Sequence, residues 1–437
     1  DVKRPVLPVI RIALTLDETH TASATIGGDP AHAPTIRANQ VAVVANTLDQ
    51  GVRSNADSST NSPDVPDATP ANPTAAFSVS AAVAYADRTI TTDAEIGSGV
   101  VIDAKQVGVY SNTDLPVTIT WLDGDDFSSV MSHINGTLGV TDDILTSYTN
   151  ATGDAGADGI SGSVNLFNVT ANTKSFIGDG AAVNITGATA GSWSPMLDSG
   201  DNNSHGTSGT YTTVQPVFDQ PVSVLATRNI ETLNFGGNLS IFLNGAGGTN
   251  EDASSVGATY SSVNYDGDTI AGIGDAGTVT CDKGAEVKAK AIDKAINVSP
   301  TAGRGGGVAI SGMVALYDLD TRVHASIAST AKVSATSLDL TANQVENIGT
   351  VAGALMVGNE NSVGGMETTN TILTHVAAYI GDNSQDDTSN SASLIPNFTA
   401  PTAGVTITGG TVNLAAAETG IVQSLAVSLE VGDDAAL

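Results

Sequence analysis

The chain has 437 residues, enough for one large elongated domain or about two to three compact ones. Lys and Arg number 16 against 46 Asp and Glu, a formal net charge of −30, so no basic stripe exists to neutralise phosphates and nucleic acid is excluded as a partner. Charged residues make up only 14%, which excludes a charge-blocked disordered tail, and 41% hydrophobic content with 4% aromatics points to narrow strand layers of small and β-branched side chains, not to an aromatic-rich enzyme core.

In chain order, an alternating apolar run opens at residues 9–16 and leads into Thr21-Ala-Ser-Ala-Thr-Ile26-Gly27. A second alternating run follows at 35–44. Residues 51–75, with Pro63, Pro66, Pro70 and Pro73, read as an inserted loop. A more apolar run at 77–84 then precedes Thr92-Asp-Ala-Glu-Ile96-Gly97, and a further run occupies 100–109. Residues 123–160 form a second insertion with two short helical candidates. Phe127, Val130, Met131 and Ile134 follow helical spacing up to Asn135-Gly136, and Thr141-Asp142-Asp143 starts a turn carrying Ile144, Leu145 and Tyr148. The pattern resumes with the run 164–169 and Thr173-Lys-Ser-Phe-Ile177-Gly178-Asp-Gly180. A polar loop at 187–212 follows, then Thr269-Ile-Ala-Gly-Ile273-Gly274-Asp-Ala276. The run 308–316 precedes the degenerate copy Thr321-Arg-Val-His-Ala-Ser-Ile327, with 331–340 after it. The last copy, Thr374-His-Val-Ala-Ala-Tyr-Ile380-Gly381, is followed by a polar loop at 383–403.

These runs alternate with period two between Gly, Asn, Asp and Ser turns, so each has one inward and one outward face. The isoleucines lie 70, 81, 96, 54 and 53 residues apart (26 to 96, 96 to 177, 177 to 273, 273 to 327, 327 to 380). A unit of about fifty residues with variable insertions accounts for this spacing. Two or three coils of about twenty residues would fill each unit, and some twenty coils at about 4.8 Å would make a rod about 90–100 Å long. The expected fold is all-β: a single elongated right-handed parallel β-helix (β-solenoid) over 1–437, with the inserted loops and short helices above.

The apolar run, then Thr-x-Ala-x-Ile-Gly-Asp-Gly-Ala-x-Val, then Val/Leu-x-Leu-x-Ala, clearest from Thr173 to Val183 and from Lys332 to Ala342, resembles the β-helical repeats of very large secreted bacterial proteins. Filamentous-haemagglutinin-like adhesins and the fusobacterial leukotoxin group are examples. The resemblance transfers no catalytic residue. It implies a passenger or stalk segment displayed at the cell surface.

Parallel β-helices also carry polysaccharide hydrolases and lyases. Asn112-Thr113-Asp114 and the pair Asp125-Asp126 match parts of a polygalacturonase-like site, but the Gly-His-Gly and Arg-x-Lys elements are missing from the sequence. Asp125 and Asp126 read instead as the acidic start of the Phe127 helix. Candidate calcium ligands are Asp123, Asp125 and Asp126, Asp154 and Asp158, and Asp266 and Asp268, which cluster oxygens on turns without completing an EF-hand or nonapeptide repeat. His20, His32, His133, His205, His324 and His375 lie far apart and read as isolated surface or rim residues, and Cys281, being single, reads as a small buried hydrophobe.

No apolar run approaches the ~20 residues of a membrane-spanning helix. The start, Asp1-Val2-Lys3-Arg4, has neither Met nor a signal peptide, so the chain is expected to be processed or a piece of something longer. The expected function is a structural and adhesive extracellular rod, a segment of a giant repetitive surface protein or filament, with no catalytic residues and no cofactor assigned, calcium being a candidate alone. Its expected partners are neighbouring copies or further repeats end to end and a host or neighbouring-cell surface, without membrane insertion. The alternative is a carbohydrate-active enzyme on the same fold.

Overall fold

Strict alternation between Gly-containing turns leaves strand as the regular structure open to most of this chain. A computed structural model describes residues 9–12, 16–27, 32–48, 54–60, 78–115, 147–153, 159–188, 191–195, 216–237, 254–305, 308–358, 361–381, 405–407, 410–432 and 435–436. Among the described residues there is no α-helix, and the strands form three parallel sheets.

Each coil gives one strand to each sheet. The first sheet holds the long strands Leu16–Ile26, Ser78–Ile96, Gly159–Ile177, Ser255–Ile273, Val308–Ile327 and Asn361–Ile380. The short sheet holds Thr35–Arg37, Val101–Ala104, Ala182–Ile185, Thr278–Cys281, Lys332–Ala335 and Val405–Ile407. The return sheet holds Gln40–Leu48, Gln106–Leu115, Val222–Gly237, Gly284–Gly305, Ser337–Gly358 and Val412–Gly432. Strand order follows coil order in all three sheets, so the fold is a parallel β-solenoid.

The coil itself is larger than the sequence suggests. Ile273 pairs with Ile327 and Ile327 with Ile380, so one coil takes up the whole 54- or 53-residue unit (273 to 327, 327 to 380). Six coils at about 4.8 Å stack to about 25–30 Å, not about 90–100 Å, while a long strand at about 3.3 Å per residue runs about 60 Å. The body is a broad, flattened stack and not a slender rod. The cause is local: Thr170 and Asn172, which look like a boundary between two runs, continue the strand Gly159–Ile177.

Insertions split strands without breaking register. Leu115 pairs with Ile230 and Ser147 with Asn234, so the return strand of the second coil stops at Leu115 and resumes in register as Ser147–Gly153. Ser54–Thr60 pairs with that segment. The expected loop 51–75 therefore contains a strand, and Tyr148 lies in a strand, not in a helical turn. The Phe127 helix, the Thr141 turn and the loop 383–403 lie outside the described residues.

Inward ladders fill the interior. Ile26, Ile96, Ile177, Ile273, Ile327 and Ile380 pair in sequence, and the middle four are fully buried. The residue after each isoleucine closes the turn by donating its N–H to the isoleucine carbonyl one coil earlier: Gly97 to Ile26 at 2.7 Å, Gly178 to Ile96 at 2.7 Å and Gly274 to Ile177 at 2.8 Å. A Cβ on Gly178 would lie 2.9 Å from the Ile96 carbonyl oxygen, which explains the glycine. Cys281 is buried on the short sheet, as expected of a small hydrophobe.

Part of the interior is polar, a feature that the overall composition conceals. Thr92 donates to Thr47 at 2.6 Å, and Thr113 lies 2.8 Å from Thr92 and 2.6 Å from Thr173, a zigzag across the two long sheets. Further along, Arg228 Nη2 donates to Asp293 Oδ2 at 2.9 Å, and Gln344 Nε2 reaches both Asp293 Oδ2 at 3.1 Å and Thr321 at 2.6 Å. Burial pulls the Arg228 guanidinium down, but Asp293, Tyr265 and Asp268 together outweigh it and hold the pKa above the usual value. Burial raises the Tyr265 and Tyr317 phenols well above theirs.

Candidate functional site

The outer face of the first sheet carries the most distinctive exposed chemistry. In a strand, alternate residues point outward, so pairing register alone aligns them into ladders across the coils. Four adjacent ladders in the first half of the strands are mostly apolar or small. The first is Val79, Ile160, Val256, Ile310 and Val363. The second is Ala81, Gly162, Ala258, Gly312 and Gly365, and the third is Val83, Val164, Tyr260, Val314 and Glu367. The fourth is Tyr85, Leu166, Ser262, Leu316 and Thr369. Ile160, Val256, Ile310 and Val363 are 41%, 38%, 43% and 44% exposed, so this apolar surface meets solvent. The small second ladder is the floor of a shallow groove of about 640 Å³.

Farther along the same strands the face turns acidic. Asp87, Asn168, Asn264 and Asp318 form one ladder, and Thr89, Thr170, Asp266 and Asp320 the next. Asn172, Asp268, Arg322 and His375 follow. Arg322 grips Asp268 through two donors, Nε and Nη2, both at 2.7 Å. The Asp266 carboxyl is raised first by burial, then by Asp320 and Asp268 beside it. Of the calcium candidates, Asp266 and Asp268 are thus neighbours on this band, with Asp268 committed to Arg322. Asp123, Asp125, Asp126, Asp154 and Asp158 lie outside the described residues. Among the described residues no group of three or more His, Cys, Asp or Glu side chains is arranged to hold a metal ion.

The Asn112-Thr113-Asp114 match does not converge. Thr113 points inward to the threonine zigzag, while Asp114 points outward and accepts from Asn229 at 3.0 Å. Burial raises the Asp114 carboxyl, and the Asn229 hydrogen bond opposes it. The histidines do not behave alike. His324 is buried and meets the Tyr379 ring edge-on, in contrast to the expected surface position, and His20 sits 2.9 Å from Glu18 on the inward side of the first coil.

A second surface feature comes from the insertion at 187–221. Trp193 and Phe218 pair through their backbones, and their rings pack against Tyr110 on the outside of the return sheet. Gly108 makes room for them, since a Cβ there would fall 2.4 Å from the Phe218 ring. Beneath this cover Glu286 accepts from Ser223 at 2.6 Å and from the Asp219 backbone at 2.9 Å, with Lys288 Nζ at 2.5 Å. Trp193, inside the expected loop 187–212, and Phe218, just beyond it, thus dock back on the solenoid. No family model, curated protein or solved structure matches the chain.

Proposed function

We propose that this chain is a structural and adhesive segment of an extracellular β-solenoid, a stretch of a larger repetitive bacterial surface protein or filament. The observation that carries the reading is the state of the sixth coil. Its inward residues Val412, Leu414 and Val422 are 47%, 45% and 48% exposed, while their partners one coil below, Leu338, Leu340 and Ile348, are 1%, 0% and 2% exposed. An edge with unpaired backbone and apolar inward side chains is a template for another coil. A further repeat or a neighbouring copy laid end to end would bury it, and the acidic half of the first sheet's outer face would remain free for contact with a host or neighbouring-cell surface.

Electron microscopy of the purified chain tests the stacking. End-to-end stacks are expected, and Leu414→Lys with Val422→Lys should abolish them by placing charge in the junction. Stacks that persist in that variant would overturn the reading.

A second reading, a carbohydrate-active enzyme, has one observation in its favour: carboxylates of Asp266, Asp268, Asp318 and Asp320 aligned with Arg322 on adjacent coils. Paired carboxylates are the machinery of glycoside hydrolysis. Release of reducing or unsaturated ends from plant or microbial polysaccharides, lost in Asp266→Asn and Asp320→Asn, would establish it in place of the structural role.

A further inference from the structure

Glycine in a strand interior weakens the strand and commonly marks a place where another backbone or a ligand comes close. Gly162, Gly312 and Gly365 stand in one outward ladder, and none has a positive φ. A Cβ would meet nothing nearer than 3.9 Å at Gly162 and 4.0 Å at Gly312, and nothing within 4 Å at Gly365. The fold does not need these glycines, unlike Gly108 or Gly178. With Ala81 and Ala258 they keep a trough open between the Ile160 ladder and the Val164 ladder.

We propose that this tract is a lateral docking surface for a second copy of the same chain, packed side by side with its coils level. The four apolar ladders cover about 24 Å along the stack and about 27 Å across it, or about 600 Å² on each copy. Two such faces bury about 1,200 Å², the lower bound for a stable interface. A two-fold axis parallel to the stacking direction, midway between the trough and the Val83 ladder, makes the tract self-complementary. It lays Val83, Val164, Tyr260 and Val314 of each copy in the trough of the other. It also sets Ile160 and Ile310 against Leu166 and Leu316 of the partner. Both copies share one rung spacing, so every rung meets its counterpart, which a lipid chain or an irregular peptide does not offer. Charge points the same way. Glu367, in the sixth coil, is the one charged residue in the four ladders, so the tract suits an uncharged surface, while a cationic partner would settle on the acidic band beside it.

Sedimentation velocity over a concentration series on the full chain carrying Leu414→Lys and Val422→Lys, in which end-on stacks cannot form, tests the proposal. A monomer–dimer equilibrium is expected, and it should tighten as salt rises toward about 1 M, where the Debye length shrinks to about 3 Å and the strong negative charge on each copy is screened. Gly162→Leu with Gly312→Leu, and separately Val314→Asp, should each weaken the dimer by about tenfold or more. The glycine variant should keep the circular dichroism and melting temperature of the wild type, because its new side chains enter open space. A chain that stays monomeric throughout, or a dimer of undiminished affinity in both variants, overturns the proposal. So does a lipid or peptide found by mass spectrometry to copurify with wild type but not with Val314→Asp. Leu414→Lys with Val422→Lys blocks end-on stacking and leaves the lateral tract unaltered, so failure of one contact is distinguishable from failure of the other.

Discussion

Replacing Glu346 by Gln should remove a pH dependence that the stacking builds into the core. Glu346 is inward-facing and buried, and its Oε1 has no hydrogen-bond partner. Asp293 pairs with it from the coil below, Gly420 from the coil above, and Gln344, two residues before it, pairs with Glu418. Tyr317 faces it from the first sheet, and Arg228 lies two coils down as the nearby cation. Burial, then Glu418 and Asp293, push its carboxyl from 4.5 to about 7 against the pull of Arg228. A folded pKa above the unfolded one means that the folded state holds the proton more tightly. The resulting stability is complete below about pH 4.5 and is lost as pH rises through about 7. That shift is worth about 3 kcal/mol at most, and water reaching in through the open sixth coil lowers it. Gln cannot ionise, so the variant should match wild type near pH 4 and exceed it by about 1–3 kcal/mol near pH 8. Asp339, held low by hydrogen bonds from Thr341, Asn413 and Lys288 that outweigh its burial, has the opposite slope in both proteins and cancels in the difference. Urea unfolding at both pH values, with hydrogen exchange of amides 412–432, measures it. Parallel stability curves for the two proteins would refute the buried-carboxylate argument.

Arg228→Met leaves Asp293 charged and buried without its partner, so it should cost about 3–5 kcal/mol by urea unfolding, and adding Asp293→Leu should recover most of that loss. Ile177→Ala opens a cavity in the middle of the isoleucine ladder and should cost about 2–5 kcal/mol in the same assay. Ala276 stands at φ 54°, where its counterparts Gly99 and Gly180 stand at 72° and 67°. Ala276→Gly should therefore raise stability by about 0.5–1 kcal/mol, seen as a higher melting temperature.

The isoleucine ladder was legible because two signals coincide at five of its six copies: period-two alternation and a glycine after the inward isoleucine, with Ala328 in its place after Ile327. Coil size was not legible, because a long strand crossing polar residues such as Thr170 and Asn172 looks like two short ones. The buried charges were hidden by composition and visible in phase. Counting every second residue from Val222 gives Val224, Ala226, Arg228 and Ile230, so parity places the arginine inside although both its neighbours, Thr227 and Asn229, are polar. The same count finds Asp293 after Ala289 and Ala291, and Glu346 before Ile348. Phase also bears on the outer face. In residues 308–316 the inward set is Ala309, Ser311, Met313 and Ala315, yet the outward set, Val308, Ile310, Gly312, Val314 and Leu316, is the more apolar of the two. Water-facing strands alternate apolar with polar, and strands of a parallel sheet that read apolar in both phases are the ones covered on both sides. The sequence of this half-strand is therefore that of a covered strand, while the isolated chain leaves it open. A partner surface over the first sheet resolves that conflict, and the three glycines that the solenoid does not need lie at its centre.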